Sequence, residues 1–425
     1  MSVRTPRIIW IVLATGLLAR LVVIHWAMDL ELILDEVNYL DYGQHLLAHG
    51  LLPDAFRPPG YPSLVALAQF LGGEGPTSVR VLQSLVSVLA GWVLYRWLLP
   101  HTGHRGASLS AALWCLYPVF IGFSHLLWTE TVFLSSLIFF LATALPSTPI
   151  SNKRAFWAGV MYALASLTRS VLLPLAVIAP LTVMLRSNHW TWQRMPKTKG
   201  LLFLVGFGLT VLPWAIHNKV VEDRWIVVET TNGYNLWKGN TPWSHPFATE
   251  APQYPGPWIS IPMFPYEGSG PRLTEHCEAQ HAGGDFRRWH LNRCARALAV
   301  EHIRADPAAF LTRGFSKLGH AFHPSNLLMR HLWLGLYGEL PPTLRTSLIW
   351  GTTFSYLGAL IIALVALFRR PRMPIQLFMI LLAAYQLSVI FITFGNTRFR
   401  LPILLAGFVL AAWLPNPKKR EIQTR

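Results

Sequence analysis

The chain has 425 residues, of which 52% are hydrophobic and only 13% are charged. Soluble globular domains carry about 25% charged residues, so this composition excludes an ordinary soluble globule and favours a protein that spans a membrane. The formal net charge of +16 is not accompanied by a basic patch with interleaved aromatic residues, so the sequence predicts no nucleic-acid partner.

Apolar runs of about 17 or more residues are long enough for a helix to cross a hydrocarbon core of about 30 Å. The sequence contains ten candidate spans, which predict an all-α polytopic membrane protein. They cover residues 8–28, 77–99, 107–123, 127–145, 155–168, 171–185, 200–217, 346–368, 374–394 and 400–415. The first run is longer than a signal peptide and lacks a small-residue cleavage site, so we expect it to be a membrane anchor.

The basic residues predict the orientation of these spans, because Lys and Arg collect in short cytoplasmic loops. With the N-terminus inside, most Lys and Arg residues outside the long loops fall on the cytoplasmic side. The short outer segments receive only Arg57, Arg80, Arg169, Arg398 and Arg400. The sequence therefore predicts that both termini are cytoplasmic and that the two long loops lie on the outer face.

Three regions follow from this pattern. Residues 1–217 form an N-terminal transmembrane region with a first outer loop at 29–76, residues 218–345 form a large outer loop, and residues 346–425 carry the last spans and a basic tail. A loop as long as 218–345 is usually functional rather than a linker. Its Trp and Tyr content suits packing on sugar rings, contact with membrane lipids, or the core of a small cap.

Local patterns subdivide the large outer loop. Trp225 to Trp237 is predicted to be strand-like or irregular, and the proline- and aromatic-rich segment 241–271 is predicted not to form regular helix. The segment 284–319 is predicted to be helical, with a helix start at Asp306-Pro307.

The three cysteines allow limited inference. Cys115 lies in a span and is interpreted as apolar filling. Cys277 and Cys294 share the large outer loop, where an oxidising compartment permits a disulfide, but their spacing alone does not establish one and leaves free thiols as the alternative. No CxxC or HxxxH pattern accompanies them, which argues against a metal site.

The first outer loop is strongly acidic. Seven acidic residues fall between Asp29 and Glu74, against one basic residue, Arg57. Asp35 and Glu36 stand at the start of a helical pattern just beyond the first span. Partial burial there raises the proton affinity of a carboxylate and makes it a candidate general base. Capping of a helix N-terminus is the competing interpretation.

Several arginines are candidate anion ligands. Arg57 precedes two prolines that hold the backbone extended, and a rigidly held guanidinium suits a phosphate. Arg169, Arg398 and Arg400 lie at outer helix ends and either converge on the same anion or reach towards lipid headgroups.

Two further ionisable residues lie within predicted spans. Arg20 falls near the middle of the first span and Glu130 near the outer end of the fourth. A charge inside the membrane costs at least about 2.5 kcal/mol unless it is paired or hydrated, so both side chains are expected to face the bundle interior or a cavity.

Four motifs in order along the chain resemble glycosyltransferase family 39, which includes protein O-mannosyltransferases and lipid A aminoarabinose transferases. The first combines Asp35-Glu36 and Tyr39 with Arg57-Pro58-Pro59-Gly60-Tyr61-Pro62. The others are Thr231-Asn232-Gly233-Tyr234-Asn235 with Gly239-Asn240, Asp306-Pro307 through Lys317-Leu318, and Gly395-Asn396-Thr397-Arg398-Phe399-Arg400-Leu401-Pro402.

This resemblance implies a GT-C fold with surface-lying helices in the first outer loop, in a bacterial inner membrane. It implies transfer of a monosaccharide from a polyprenyl-phosphate donor to a glycan, lipid or protein hydroxyl, with inversion at the anomeric carbon. Asp35 would be the general base and Glu36 its support. Arg57 would contact the donor phosphate, joined less securely by Arg169, Arg398 and Arg400. The candidate substrate contacts are Tyr39, Tyr61, Asn232 and Tyr234.

No cofactor is expected. The acidic pair together with water could hold a divalent metal, but no further ligand cluster accompanies it, so metal-independent transfer is favoured. The competing function is a transporter or flippase of lipid-linked sugars. Such proteins more often have internal repeats and paired broken helices, which this sequence lacks.

Overall fold

The computed structural model describes residues 6–33, 35–181, 197–241, 266–281, 285–324, 327–333, 335, 337–368 and 374–415. All regular secondary structure in these residues is helical, which confirms the predicted all-α class. The N-terminal half contains α1 (Arg7–Trp26), α2 (Asp35–His49), α3 (Gly60–Gly72), α4 (Pro76–Leu116), α5 (Pro118–Phe123), α6 (Thr129–Ala144), α7 (Asn152–Thr168) and α8 (Lys197–Glu222). The C-terminal half contains α9 (Asn232–Asn240), α10 (Tyr266–Ala279), α11 (Arg288–Ala305), α12 (Pro307–Ala321), α13 (Leu327–Trp333), α14 (Pro342–Leu367), α15 (Pro374–Ile392) and α16 (Leu401–Ala411).

Apolar helices identify an integral membrane protein. By length and composition, α1, α4, α8, α14 and α15 can each cross a membrane, and α6 is a shorter apolar helix. Their outward faces carry large exposed hydrophobic side chains such as Ile11, Leu209 and Ile361, as expected for surfaces that contact lipid.

Two predicted spans form one bent helix. α4 continues from Pro76 to Leu116, but Gly103 has a non-helical backbone with a φ of 72° three residues after Pro100. The third predicted span, 107–123, ends early as a continuous helix because Tyr117 precedes Pro118. A residue before proline disfavours the helical conformation, and Tyr117 is extended, with a ψ of 118°. The chain then restarts as the short α5.

The sixth predicted span is not a regular α-helix over the residues described. Ser170–Val177 is a 3-10 helix that contains Pro174, whose missing N–H removes one helical hydrogen bond. Residues 182–185 of this span lie outside the described residues.

The last predicted span is an enclosed core helix. All of α16 is buried, and it packs against α4, α14 and α15. A helix that is apolar on every side is expected in the centre of a bundle rather than at its surface. The largest hydrophobic cluster of the protein surrounds it.

The large outer loop departs from two of its predictions. The stretch predicted as strand-like or irregular turns helical at Asn232, where α9 begins. The reason is tertiary: Trp237 of this helix is buried in a cluster with Leu273, Ala295 and Ala299 from α10 and α11. α10 also begins at Tyr266, inside the segment predicted to be non-helical. Residues 242–265 of that segment lie outside the described residues.

Two other expectations for this loop are resolved. α11 and α12 confirm the predicted helical segment, and Asp306 caps α12 by accepting a hydrogen bond from Ala309 N at 2.8 Å. Cys277 and Cys294 form a disulfide that joins α10 to α11.

Candidate active site

Asp35 lies between two arginines that come from distant parts of the chain. It occupies the first turn of α2, where Arg57 Nη2 donates to its Oδ1 at 2.7 Å. Arg398, in the 3-10 helix Thr397–Arg400, donates from Nη1 to its Oδ2 at 3.3 Å. The side chains of all three are 18–27% exposed, so the cluster is open to a ligand.

Arg57 is held by its own neighbourhood as well as by Asp35. Its Nε donates to Asn38 Oδ1 at 2.8 Å and its Nη1 to Tyr39 OH at 3.4 Å. Its guanidinium lies over the rings of Tyr39 and Phe56, at 4.7 and 4.9 Å. Because Pro58 and Pro59 restrict the backbone after it, the guanidinium is fixed from several sides.

A second carboxylate, Glu130, organises the other side of the cluster. Glu130 lies in the first turn of α6 and is buried. Its Oε1 accepts a hydrogen bond from Arg169 Nη1 and lies 3.8 Å from Arg398 Nε. Arg398 is therefore shared between Asp35 and Glu130. Three guanidinium groups meet two carboxylates here, which leaves a net positive charge suited to an anion.

The charge environment of Asp35 differs from the sequence prediction. Burial raises the pKa of this carboxyl group, as expected, but the positive charges of Arg398 and Arg57 outweigh burial and lower the pKa to about 2. The expectation of a raised proton affinity is therefore wrong, because the charges of the two arginines outweigh the effect of burial.

Glu36 is tied into the fold rather than open to a ligand. Its Oε1 accepts a hydrogen bond from Leu127 N at 2.9 Å and its Oε2 one from Ile33 N at 3.2 Å. Arg80 Nη2 lies 4.0 Å from the carboxylate. These contacts hold the start of α2 against the chain before α6, which fits the supporting role inferred from the resemblance.

The two tyrosines proposed as substrate contacts differ in their surroundings. Tyr39 is part of the cluster through Arg57. Tyr61 is fully buried, donates from its hydroxyl to Gln83 Oε1 at 2.9 Å and packs edge-on against Tyr39. Tyr61 therefore supports the ring of Tyr39.

Three proposed residues lie outside the cluster. Arg400 Nη1 donates to Ala321 O at 3.1 Å, and its guanidinium lies 3.6 Å from the centre of the Tyr356 ring. Asn232 Oδ1 accepts hydrogen bonds from Asn292 and Arg296 of α11. Tyr234 packs in the cluster around Trp237.

Two residues that the sequence interpretation missed contribute to the same charge cluster. Lys238 on α9 is buried with its Nζ 4.1 Å from the centre of the Phe394 ring. Burial, and next the charge of Arg398, hold the pKa of Lys238 well below its ordinary value. Glu229 accepts a hydrogen bond from Ser170 and interacts with the charges of Arg57 and Arg169. The only sequence signal for Lys238 is its place next to Gly239-Asn240.

Arg20 has a structural role and does not pair with Glu130. It is fully buried, and its guanidinium donates to Gly16 O at 2.9 Å, Cys115 O at 2.7 Å and Ser87 Oγ at 3.1 Å. These bonds join α1 to α4 inside the bundle, as expected for a charge that faces the interior.

The described residues contain no group of three or more His, Cys, Asp or Glu side chains arranged to hold a metal ion. Metal-independent transfer stays a prediction.

Comparison with known proteins agrees with the resemblance drawn from the motifs. Residues 56–216 match the family model of the dolichyl-phosphate-mannose-protein mannosyltransferases. This segment contains Arg57, Glu130 and Arg169, whereas Asp35 and Arg398 lie outside it. No curated protein matches the chain.

Two crystal structures of ArnT from Cupriavidus metallidurans are similar to this chain. The apo structure shares 16% identity with a TM-score of 0.40. The structure bound to undecaprenyl phosphate shares 15% identity with a TM-score of 0.44. Each similarity covers 95% of this chain and 76% of that one.

Proposed function

We propose that the protein is a membrane glycosyltransferase that moves a monosaccharide from a polyprenyl-phosphate donor to an acceptor hydroxyl. The observation that carries this proposal is the position of Asp35 between Arg57 and Arg398. It combines a candidate base with two candidate phosphate ligands at one end of the helix bundle. The match of residues 56–216 to a mannosyltransferase family supports the same chemistry.

In this reaction the bond between the anomeric carbon and the donor phosphate oxygen breaks, and the electron pair leaves with the polyprenyl phosphate. The acceptor oxygen forms the new bond from the opposite face, so the configuration inverts, and its proton passes to Asp35. The leaving phosphate gains negative charge as the bond breaks. Guanidinium groups placed beforehand at that oxygen stabilise the developing charge.

Arg57 and Arg398 couple binding of the donor phosphate to the basicity of Asp35. While they pair with Asp35, the carboxylate is a weak base with a pKa of about 2. A bound donor phosphate competes for the same guanidinium groups, and each hydrogen bond that moves to the phosphate weakens a contact that lowers the proton affinity of Asp35. Donor binding therefore makes Asp35 more basic at the stage when the acceptor proton must be removed.

The remaining assignments follow from charge and chain placement. We assign the chain to a bacterial inner membrane on the family resemblance. We place both termini in the cytoplasm, because most basic residues of the short loops fall on that side. The candidate site then faces the outside, and the acceptor is a hydroxyl of a glycan, lipid or protein.

The substitution Asp35→Asn tests the base. It keeps the size of the side chain and one hydrogen-bond acceptor but removes the group that takes the proton. We expect transfer by the purified protein to fall by at least about 100-fold, the lower range for general-base catalysis, while polyprenyl-phosphate binding persists. Full activity of this variant would exclude Asp35 as the base.

The substitution Arg57→Ala tests the phosphate ligand separately. We expect it to weaken binding of undecaprenyl phosphate in detergent, measured by titration, because a fixed guanidinium with charge-assisted hydrogen bonds is lost. Lys219→Ala is the matched control, since it removes an exposed cation that pairs only with Asp223 within the described residues. Unchanged affinity in Arg57→Ala would remove Arg57 from the site.

A further inference from the structure

A buried lysine outside the charge cluster holds the helix end that leads to Arg398. Lys317 on α12 is 7% exposed. Its Nζ donates to Asn240 Oδ1 at 2.9 Å, to Phe391 O at 3.1 Å and to Ile392 O at 3.3 Å. An ammonium group has three N–H donors, and here three acceptors surround it.

The acceptors come from two different elements. Phe391 and Ile392 belong to the last turn of α15, whose carbonyl groups have no partner within the helix. Asn240 is the last residue of α9, and its Nδ2 also donates to Ile392 O at 2.8 Å. Lys317 and Asn240 together therefore connect α9, α12 and the end of α15. We call these two residues the clamp.

The backbones at the clamp approach closely. A Cβ atom placed on Gly239 would lie 1.6 Å from Thr393 O, far inside any allowed contact. Only glycine therefore lets α9 lie against the chain that leaves α15. This close contact and the hydrogen bonds of the clamp both fix the end of α15 against α9.

The chain that leaves the clamp carries the arginine of the candidate site. Five residues after Thr393, Arg398 lies in a 3-10 turn that Asn396 caps by accepting a hydrogen bond from Arg398 N at 3.1 Å. α9 carries Lys238, whose charge interacts with Arg398 and Asp35. The clamp thus joins the two elements that bring Arg398 and Lys238 towards Asp35.

Burial of this lysine has a cost. Transfer of a charge from water into the protein is unfavourable. Burial, and next the charge of Arg313, lower the pKa of Lys317 to about 7. Water or a neutral donor could satisfy the carbonyl groups at a helix end without that cost. In its protonated form, Lys317 instead provides three directional bonds to two elements at one point.

We propose that Lys317, together with Asn240, is a positioning residue that fixes the end of α15 against α9 and so holds Arg398 at Asp35. Its effect on donor binding rests on the proposed function, whereas its effect on the 393–400 segment does not.

The first experiment measures position without any ligand. In Lys317→Met, amide hydrogen exchange of residues 393–400 is expected to speed up, because Phe391 O loses its bond to Lys317 and Ile392 O keeps only the bond from Asn240. Lys317→Arg, which keeps donors in place, is expected to remain near the wild type.

Lys219→Met serves as the control for loss of a lysine from the outer end of a helix. Asn240→Ala removes the other half of the clamp and is expected to behave like Lys317→Met, which covers the case that one variant does not fold.

The second experiment tests whether Lys317 acts through Arg398. We expect Lys317→Met to weaken undecaprenyl phosphate binding by about tenfold, comparable to the loss of an outer-shell partner in a metal site. In an Arg398→Ala background the same substitution is expected to have little further effect, because residues that act as one unit are not additive. A merely structural role would lower affinity equally in both backgrounds.

These measurements separate the possible failures. Unchanged exchange of residues 393–400 in both Lys317→Met and Asn240→Ala overturns the clamp. Faster exchange with additive losses of affinity overturns its action through Arg398. A wild-type protein with no affinity for undecaprenyl phosphate contradicts the proposed function instead, and the exchange result then decides the clamp alone.

Discussion

Asp35 is the residue on which opposing electrostatic effects meet. Burial favours its protonated form, and two guanidinium groups favour its ionised form more strongly. Because its pKa is lowered from an ordinary value of 3.8 to about 2, ionised Asp35 stabilises the folded protein above pH 3.8. This contribution is lost as the pH falls towards 2. At neutral pH the pair of arginines therefore keeps Asp35 as a carboxylate.

The pH dependence of transfer should respond to Arg398, whose charge makes the largest contribution opposing burial at Asp35. We expect Arg398→Gln to raise the pKa of Asp35 and move the acid limb of the kcat/KM profile to higher pH, since that limb reports groups of the free enzyme. Arg398→Lys keeps the charge and is expected to leave the limb nearer its original position. Coincident acid limbs in the wild type and Arg398→Gln would contradict this electrostatic account.

Sequence reasoning located some of these residues but not their pairing. Asp35 and Arg57 are only 22 positions apart in one acidic loop, and their contact is within reach of motif analysis. Arg398 lies 363 positions from Asp35, and no local pattern predicts which carboxylate it meets. The direction of the Asp35 pKa shift was missed for this reason. Arg400, only two residues further on, binds carbonyl oxygens elsewhere because the 3-10 turn directs it to Tyr356.

At the scale of elements, the start of α3 lies very close to the end of α7. A Cβ atom on Gly60 would lie 2.8 Å from both Leu167 O and Thr168 Oγ1. Arg57 precedes this contact by three residues, and Arg169 follows it by one. The glycine in the first-loop motif therefore has a physical reason, since a side chain there would clash with the end of α7, close in sequence to two of the candidate phosphate ligands.

Gly60→Ala is expected to push α3 away from α7 and lower transfer by about 100-fold, the effect that a displacement of 1 Å can have on a reacting group. Transfer kinetics and the thermal midpoint in detergent should be measured together, with activity falling more than stability. The control is Gly358→Ala in α14, where an added Cβ meets no atom within 4 Å. If Gly60→Ala keeps wild-type kinetics, the close approach does not set the site.

Hydropathy predicted the elements well where a helix is long and apolar, as for α1, α8, α14 and α15. It failed where proline or tertiary packing decides the backbone. Pro174 lies in a 3-10 helix, within a run that is apolar enough to be predicted as a membrane span. α9 forms from polar and aromatic residues because Trp237 is buried by α10 and α11, a contact that no local pattern contains.

At the scale of the whole molecule, the candidate site gathers several helix ends at one end of the bundle. Ion pairs join the starts of α2 and α6 to the segments that follow α7 and α15. The same end carries the large loop with its disulfide between Cys277 and Cys294. Disulfides persist mainly in oxidising compartments, which agrees with the outer placement that the basic residues predict.

This orientation is testable with single cysteines and a maleimide that does not cross membranes. Ala308→Cys introduces an exposed thiol on α12, and Lys153→Cys introduces one near the start of α7 at the opposite end of the bundle. The native background is expected to be silent without reductant, because Cys115 is buried and the other two cysteines are bonded to each other. In intact spheroplasts we expect labelling of Ala308→Cys only, and labelling of Lys153→Cys only after lysis. The reverse pattern would put Asp35 and its arginines on the cytoplasmic side, where transfer at the outer face is impossible.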